Sequence, residues 1–580
     1  MRRKRGHKRR LRRRLLWGGL VVAGLLVLAL GWLLYKGLKA RTELEAVRSI
    51  ARRLEHQVEA GDISGAQASA RQLRHHAAAA HAYASGPLWS VGSAVPYFGD
   101  PLDTAGAVAA AADRVAATAV PPTVDALSAL GHTDAQSPGV DLQPVVHLLP
   151  RVIDASQAVT DAVHDIGRAP GSTWLGSVND ARAEVLDELG PVESVLGSIA
   201  QHEPAIRALF GADGPRNYLL AFQNEAELRP AGGGLPGSFA VLHVDDGHFA
   251  FSTFRPDSYL AGIPSHGLDL GADFDDLYQG ARSHFQDANA SPHFPFAAQI
   301  WAQVWETKSG THIDNVVSID PTTLSYLLAA VGPATTDDGT EVTAGNVVAL
   351  TEKRLYTQFA SSDADRKQFL VGVAKAVANH LLAARTGLRR LTDGVRRAAD
   401  EHRLLFWSAD PAVENWATSG PLGGSVPDDT RPYVAFTLNN DAQSKLDYYL
   451  HASLDYSSTC SGDTRQVTAT VTIRNETPDG LPPGAIGQSD PAGAADMYVG
   501  IYATRDAKFG KVTDHGQLPF SSRGVDRGHP AYLVYAVVPR GGTDVIVYHW
   551  TEPARPGALE VRTQPMINPM ETKIDYRPCS

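Results

Sequence analysis

Cysteine is nearly absent, with only Cys460 and Cys579 in 580 residues. Two thiols cannot build a four-cysteine structural zinc site, and neither reads as catalytic. The chain has no Gly-x-Ser-x-Gly, no glycine loop ending in Lys-Ser/Thr and no His-Glu-x-x-His. Serine-hydrolase, nucleotide-dependent and zinc-peptidase chemistry therefore lack their usual residues. Long charged or low-complexity blocks are missing beyond the first fourteen residues, and a 43% hydrophobic composition over this length suffices for two or three cores. Acidic residues are missing from those first fourteen positions, which hold ten of the 53 basic residues. The rest of the chain is more acidic than the net charge of −10 suggests, which argues against a nucleic-acid partner.

What is present first is a membrane signal. The basic tail, residues 1–14, runs into the uncharged stretch Leu15 to Tyr35, 21 residues that span a hydrocarbon core of roughly 30 Å as a helix. Trp17, Trp32 and Tyr35 stand near its two ends, and Lys36, Lys39 and Arg41 come next. The span is longer than a signal-peptide core, so 15–36 reads as a single-pass signal-anchor that is kept. The basic asymmetry predicts a cytoplasmic N-terminus and an extracytoplasmic bulk at the cell membrane. In that oxidising space Cys460 and Cys579 read as one disulfide, closing a loop worth about 4–5 kcal/mol in the chain-entropy model.

Residues 40–207 are Ala-rich and helical in period: Leu44, Val47, Ala51, Leu54 and Val58 share one face. Gly61-Asp62 breaks this helix, and further helices are expected near 66–83, 103–118, 145–166 and 178–199, with turns at Val120-Pro121-Pro122 and Ala169-Pro170-Gly171. This is a helical stalk or bundle, on which His75, His76 and His81 read as surface decoration. Residues 208–400 alternate strands (218–223, 238–244, 248–254, 315–319) with helices, which predicts an α/β domain. From 405 to 580 the strand period dominates. Val467, Ala469, Val471 and Ile473 alternate with Thr468, Thr470 and Thr472, and several such strands predict a C-terminal β-sandwich.

The densest segment is RNYLLAFQNEAELRPAGGGLPGSFAVLHV, Arg216 to Val244. A strand ends in the polar patch Gln223, Asn224, Glu225, Glu227 and Arg229, and Gly232 to Gly234 come after it. Exposed N–H groups of such a run beside Arg229 would suit a phosphate, while a tight packed loop is the competing reading. This segment resembles the signature of the bacterial membrane-protein family called domain of unknown function 4012, and the order of anchor, stalk, motif and β-rich tail is similar to that family's over nearly the whole chain.

A second resemblance, over residues 235–385, is to the LytR-CpsA-Psr family. FAVLHVDDGHFAFSTFRPDSYL is similar to its strand pair ending in Pro-Arg-Asp-Thr, HIDNVVSIDPTTLSYLLAAVGP to its strand-helix segment, and ALTEKRLYTQF with SSDADRKQF to its Arg-x-Arg and Asp-x-x-Arg stretches. The resemblance implies an outward-facing glycopolymer phosphotransferase acting on a polyprenyl-pyrophosphate carrier and the cell wall. By position it implies phosphate-binding roles for Arg255, Arg354 and Arg366 and catalytic roles for Asp257 and Asp363. Arginine suits phosphate oxygens, and a carboxylate suits Mg²⁺ or a general base. Arg and Pro are transposed in Arg255-Pro256-Asp257, Gly237 stands where the family has an Asp, and Tyr356 replaces the second arginine of Arg-x-Arg. The alternatives left open are a degenerate carrier-binding protein and a non-enzymatic envelope scaffold that binds wall polymer or protein. The arginines then act as surface ion-pair partners and Asp363 with Asp365 as a helix cap. Asp287 and Asn289 line a site or form a turn before Pro292.

Overall fold

The computed structural model describes residues 4–60, 62–131, 140–278, 280–282, 284–384 and 388–579, so Arg2 and Arg3 of the expected tail lie outside the described residues. The chain divides into two compact units, Met1–Asp134 with Leu142–Ile206, and Ala135–Asp141 with Arg207–Ser580.

The first unit is built on one helix of 56 residues, Lys4–Glu59. Its N-terminal part is long and apolar enough to cross a membrane, and that apolar window is unburied. The helix does not break where the apolar run ends. It continues into packing, with Ala40 against Ala80, Ala84, Trp89 and Ala109, and Ile50 against Leu73, Ala77 and Ala116. Alanine on facing helices permits this close approach. Helix Ile63–Tyr83 is capped by Asp62, whose carboxylate accepts the Gly65 N–H at 2.9 Å. Pro121 and Pro122 do not form the expected turn. They sit in the first turn of helix Val120–Gly131, where a missing N–H costs nothing. His76 and His81 are also better tied than expected, at 2.6 Å from Glu43 and 2.9 Å from Asp113.

The second unit begins with a six-stranded sheet in the order Val140–Asp141, His248–Pro256, Gly233–Asp245, Arg216–Arg229, Asn315–Ile319, Leu404–Ser408. Arg216–Arg229 is antiparallel to Gly233–Asp245 and parallel to Asn315–Ile319. Asp246 and Gly247, both at positive φ, make the turn between Gly233–Asp245 and His248–Pro256. Leu219, Ala221, Phe239 and Val241 pack against Trp301 and Val304 of helix Phe294–Ser309. Ile319 and Phe222 pack with helices Pro321–Val331 and Asp363–Ala383 through Leu324, Leu328, Val373 and Val377. The sheet thus has a helical layer on each face.

Residues 433–575 form two five-stranded sheets that share one core, including Phe436, Leu454, Val499, Ile501, Ile546, Tyr548 and Trp550. Strand Thr464–Asn475 buries Val467, Ala469, Val471 and Ile473 and turns its threonines outward, as its period predicts. Cys460 and Cys579 are joined in a disulfide.

Candidate functional site

Strand Arg216–Arg229 is longer than its sequence suggests, because the polar patch continues it. The register to the neighbouring strand passes from Asn224 opposite Leu235 directly to Leu228 opposite Gly234, so Glu225, Ala226 and Glu227 arch out of the ladder. An arch in a buried strand orphans its backbone N–H groups. Side chains from elsewhere satisfy them: Ala226 N–H donates to Glu352 Oε2 at 2.9 Å, and Leu228 N–H to Asp447 Oδ2 at 2.7 Å.

Behind the arch, Arg403 Nη1 lies 2.7 Å from both Glu225 Oε1 and Asp320 Oδ2, while its Nη2 donates to Met566 O at 2.8 Å. Burial, reinforced by Asp320 and opposed by Arg403, raises the Glu225 carboxyl to about 8. Burial and the neighbouring Glu225 hold Glu352 well above the ordinary carboxylate range. This cluster is closed and acts on the backbone.

In front of the arch lies a cavity of about 380 Å³, within the usual size range of a small-molecule site. Arg229, Arg366, Asp257 and Asp363 line it, joined by Glu227, Asp287, Lys367 and Lys445. Leu235, Leu355, Leu370 and Tyr356 supply its apolar wall. Arg229 is buried; its Nη1 donates to Leu228 O and Asn440 O, both at 3.0 Å, and its Nη2 meets Glu227 at 3.2 Å and Asp287 at 3.6 Å. Among the described residues its Nε has no hydrogen-bond partner. Arg366 reaches Asp363 at 3.2 Å, donates to Phe359 O at 2.7 Å and stands over the Tyr356 ring, whose hydroxyl accepts from Asn224 Nδ2 at 2.7 Å. Lys445 pairs with Glu227.

Lys367 bridges the two acids, 3.0 Å from Asp257 Oδ1 and 3.3 Å from Asp363 Oδ2. Burial raises Asp257 above the ordinary range against the pull of Lys367. Burial also works against the Lys367 charge, but the two acids outweigh it and hold the ammonium above its ordinary value. Magnesium needs ionised, unencumbered carboxylates. Lys367 occupies the place between these two, so the donor set does not fit Mg²⁺.

Two of the expected phosphate ligands stand apart. Arg255 is exposed, its guanidinium 5.6 Å from the Tyr259 ring centroid. Asp257 is two residues later, but Pro256 ends the strand and Asp257 begins a 3₁₀ turn, so the shared-face rule fails between them. Arg354 is exposed beside Leu355 and Tyr356, which do line the cavity. The glycine run is a packed loop. A Cβ at Gly233, φ +86°, would come 2.9 Å from Pro565 Cβ, one at Gly234 would come 2.3 Å from Asn224 O, and none of Gly232 to Gly234 lines the cavity. Asn289 clamps this loop through Ala231 O and Gly234 O at 2.9 and 2.8 Å, while Asp287 lines the cavity. The helix is capped by Ser362, whose hydroxyl accepts the Asp365 N–H at 3.2 Å, and not by Asp363.

Lys367 was discoverable from the sequence, being four residues from Asp363 and hence on the same helix face. Lys445 was not, because only the tertiary fold brings it to Glu227. Among the described residues, the one cluster with metal-ligand spacing is Asp514, His515 and Asp544, none of which lines the cavity.

No curated protein matches the chain. A solved structure, the Lin1025 protein from Listeria innocua, is similar over 38% of this chain and 85% of its own, at 13% identity and a TM-score of 0.21. Residues 213–356, which carry the arched strand, the glycine loop and Tyr356, match the family described as Protein of unknown function (DUF4012).

Proposed function

We propose that this is a membrane-anchored envelope protein whose cavity receives the pyrophosphate-bearing headgroup of a polyprenyl-linked glycopolymer or related lipid. The observation that carries the reading is the meeting of Arg229, Arg366, Lys367 and Lys445 with Asp257 and Asp363 around one cavity of about 380 Å³. Four cations, already held by carboxylates, exchange those partners for phosphate oxygens. The volume suits a headgroup and leaves the isoprenoid chain outside. In this reading the anchor holds the N-terminus in the cytoplasm and the second unit outside, the six-stranded domain is LytR-CpsA-Psr-like and the two five-stranded sheets are a β-sandwich.

Carrier binding is favoured over a complete phosphotransferase, because Arg255 and Arg354 stand outside the cavity and Lys367 takes the place of a metal between the acids. Asp257 is the candidate base if transfer occurs, and burial raises its pKa above the ordinary carboxylate range.

The test is titration of the full-length protein in nanodiscs with farnesyl pyrophosphate and with inorganic pyrophosphate. Arg366→Ala and Lys367→Ala are each expected to weaken binding by about 1.5–3 kcal/mol, roughly ten- to a hundredfold, and Arg354→Ala to leave it unchanged. Asp257→Asn abolishes any transfer while keeping binding. Absence of binding, or equal binding by Arg366→Ala and Lys367→Ala, removes this reading and leaves the envelope scaffold in its place.

A further inference from the structure

We infer that residues 86–99 of the first unit form a second membrane contact, lying in the interface of the leaflet that the anchor helix leaves at Tyr35. The segment GPLWSVGSAVPYFG carries no charge. An apolar run of this length belongs in a core or at an interface. It is not in a core: Leu88, Val91, Val95, Tyr97 and Phe98 are 46, 68, 45, 63 and 69% exposed. Trp89 alone of its large side chains is buried, its indole N–H donating to Leu102 O at 3.0 Å, so the segment is pinned to the bundle with its other apolar residues turned out. Scattered exposed apolar residues need no explanation, but this many in one uncharged segment indicate a partner.

The height of the segment identifies that partner. Lys36, the first charge after the apolar run, donates to Ser85 O at 2.9 Å and Ala82 O at 3.3 Å. A Cβ on Gly92 would come 3.1 Å from Leu33 Cδ1. The segment therefore begins level with Lys36 and packs beside Leu33, where the run meets the headgroups. Aromatic residues such as Tyr97 and Phe98 are enriched at that depth, and lipid covers them without a protein partner. The inference rests on reading Leu15–Tyr35 as a membrane span.

Because the two native cysteines are paired, single cysteines introduced elsewhere can be labelled selectively. Full-length Val91→Cys and Phe98→Cys carry bimane in nanodiscs that contain lipids with a doxyl quencher near the headgroup. Leu28→Cys reports the span, and Arg71→Cys reports an exposed site on the helix that rises away from it. The expected result is a loss of emission at positions 91 and 98 comparable to that at 28, with position 71 unaffected. Quenching at 28 with none at 91 and 98 overturns the interfacial contact alone. No quenching at 28 overturns the anchor and the contact together.

Discussion

Gly233 and Gly237 stand four residues apart and face opposite demands. Gly233 adopts φ +86°, and a Cβ there would meet Pro565 Cβ and Pro565 O at 2.9 Å. At Gly237 the nearest atom would be Leu370 Cδ1 at an ordinary 3.6 Å. Gly233→Ala is expected to destabilise the protein by about 1–3 kcal/mol through backbone strain and overpacking. Gly237→Ala is expected to change stability by less than about 0.5 kcal/mol. Urea midpoints of the two full-length variants in detergent check this, and equal midpoints contradict it. The conformational freedom of the glycine run thus serves packing between the two parts of the second unit, and the charged side chains around the cavity are left to meet the ligand.

Among the elements, the last strand is the one most dependent on a single bond. Glu571–Asp575 pairs in parallel with Ser453–Ser457 at the edge of its sheet, and all five of its residues are exposed. Burial contributes little to holding it. The C-terminal residues beyond the strand contribute more: Arg465 stacks on Tyr576 at 4.2 Å and donates to its hydroxyl at 2.9 Å, and Cys579 is bonded to Cys460. The bond spans 119 residues, for which the chain-entropy model gives about 4–5 kcal/mol. Cys579→Ser is expected to raise amide hydrogen exchange over 571–575 and leave the central strand Thr464–Asn475 protected. Unchanged exchange over 571–575 shows that the strand holds without the bond.

On the scale of the molecule, the buried acids of the second unit make stability depend on pH. Glu225 titrates near 8 and Glu414 near 7 when folded, both raised by burial, and Glu352 lies well above its ordinary value. A carboxyl with a raised folded pKa binds more protons folded than unfolded, so its contribution is complete at low pH and is lost as pH rises through the folded value. His402, lowered by burial to about 4, and His293, lowered by burial well below its ordinary value, act in the opposite sense but only below about pH 6.5. Stability of this unit is expected to fall between pH 6.5 and 8, and Glu225→Gln to flatten the fall. Urea unfolding followed by tryptophan fluorescence at pH 6.5, 7, 7.5 and 8 measures it. A wild-type stability that rises across this window contradicts it.

Local pattern alone determined the apolar helix at Leu15–Tyr35, the helical character of the residues after it, the hairpin at Asp246-Gly247 and the alternation in Thr464–Asn475. Each depends on residues within a few positions of one another, which share a face by periodicity. Part of the site was legible for the same reason: Asp363 and Arg366 lie one helix turn apart, and Lys367 with them. Tertiary structure decided the rest. It folded Glu225–Glu227 out of the ladder and satisfied the backbone of Ala226 with Glu352 and that of the following Leu228 with Asp447, both from distant segments. It closed the glycine run against Pro565, and brought Arg229 and Lys445 to the cavity while leaving Arg255 and Arg354 outside. Burial of charge is settled by which distant groups arrive to compensate it, and no local period encodes that arrival.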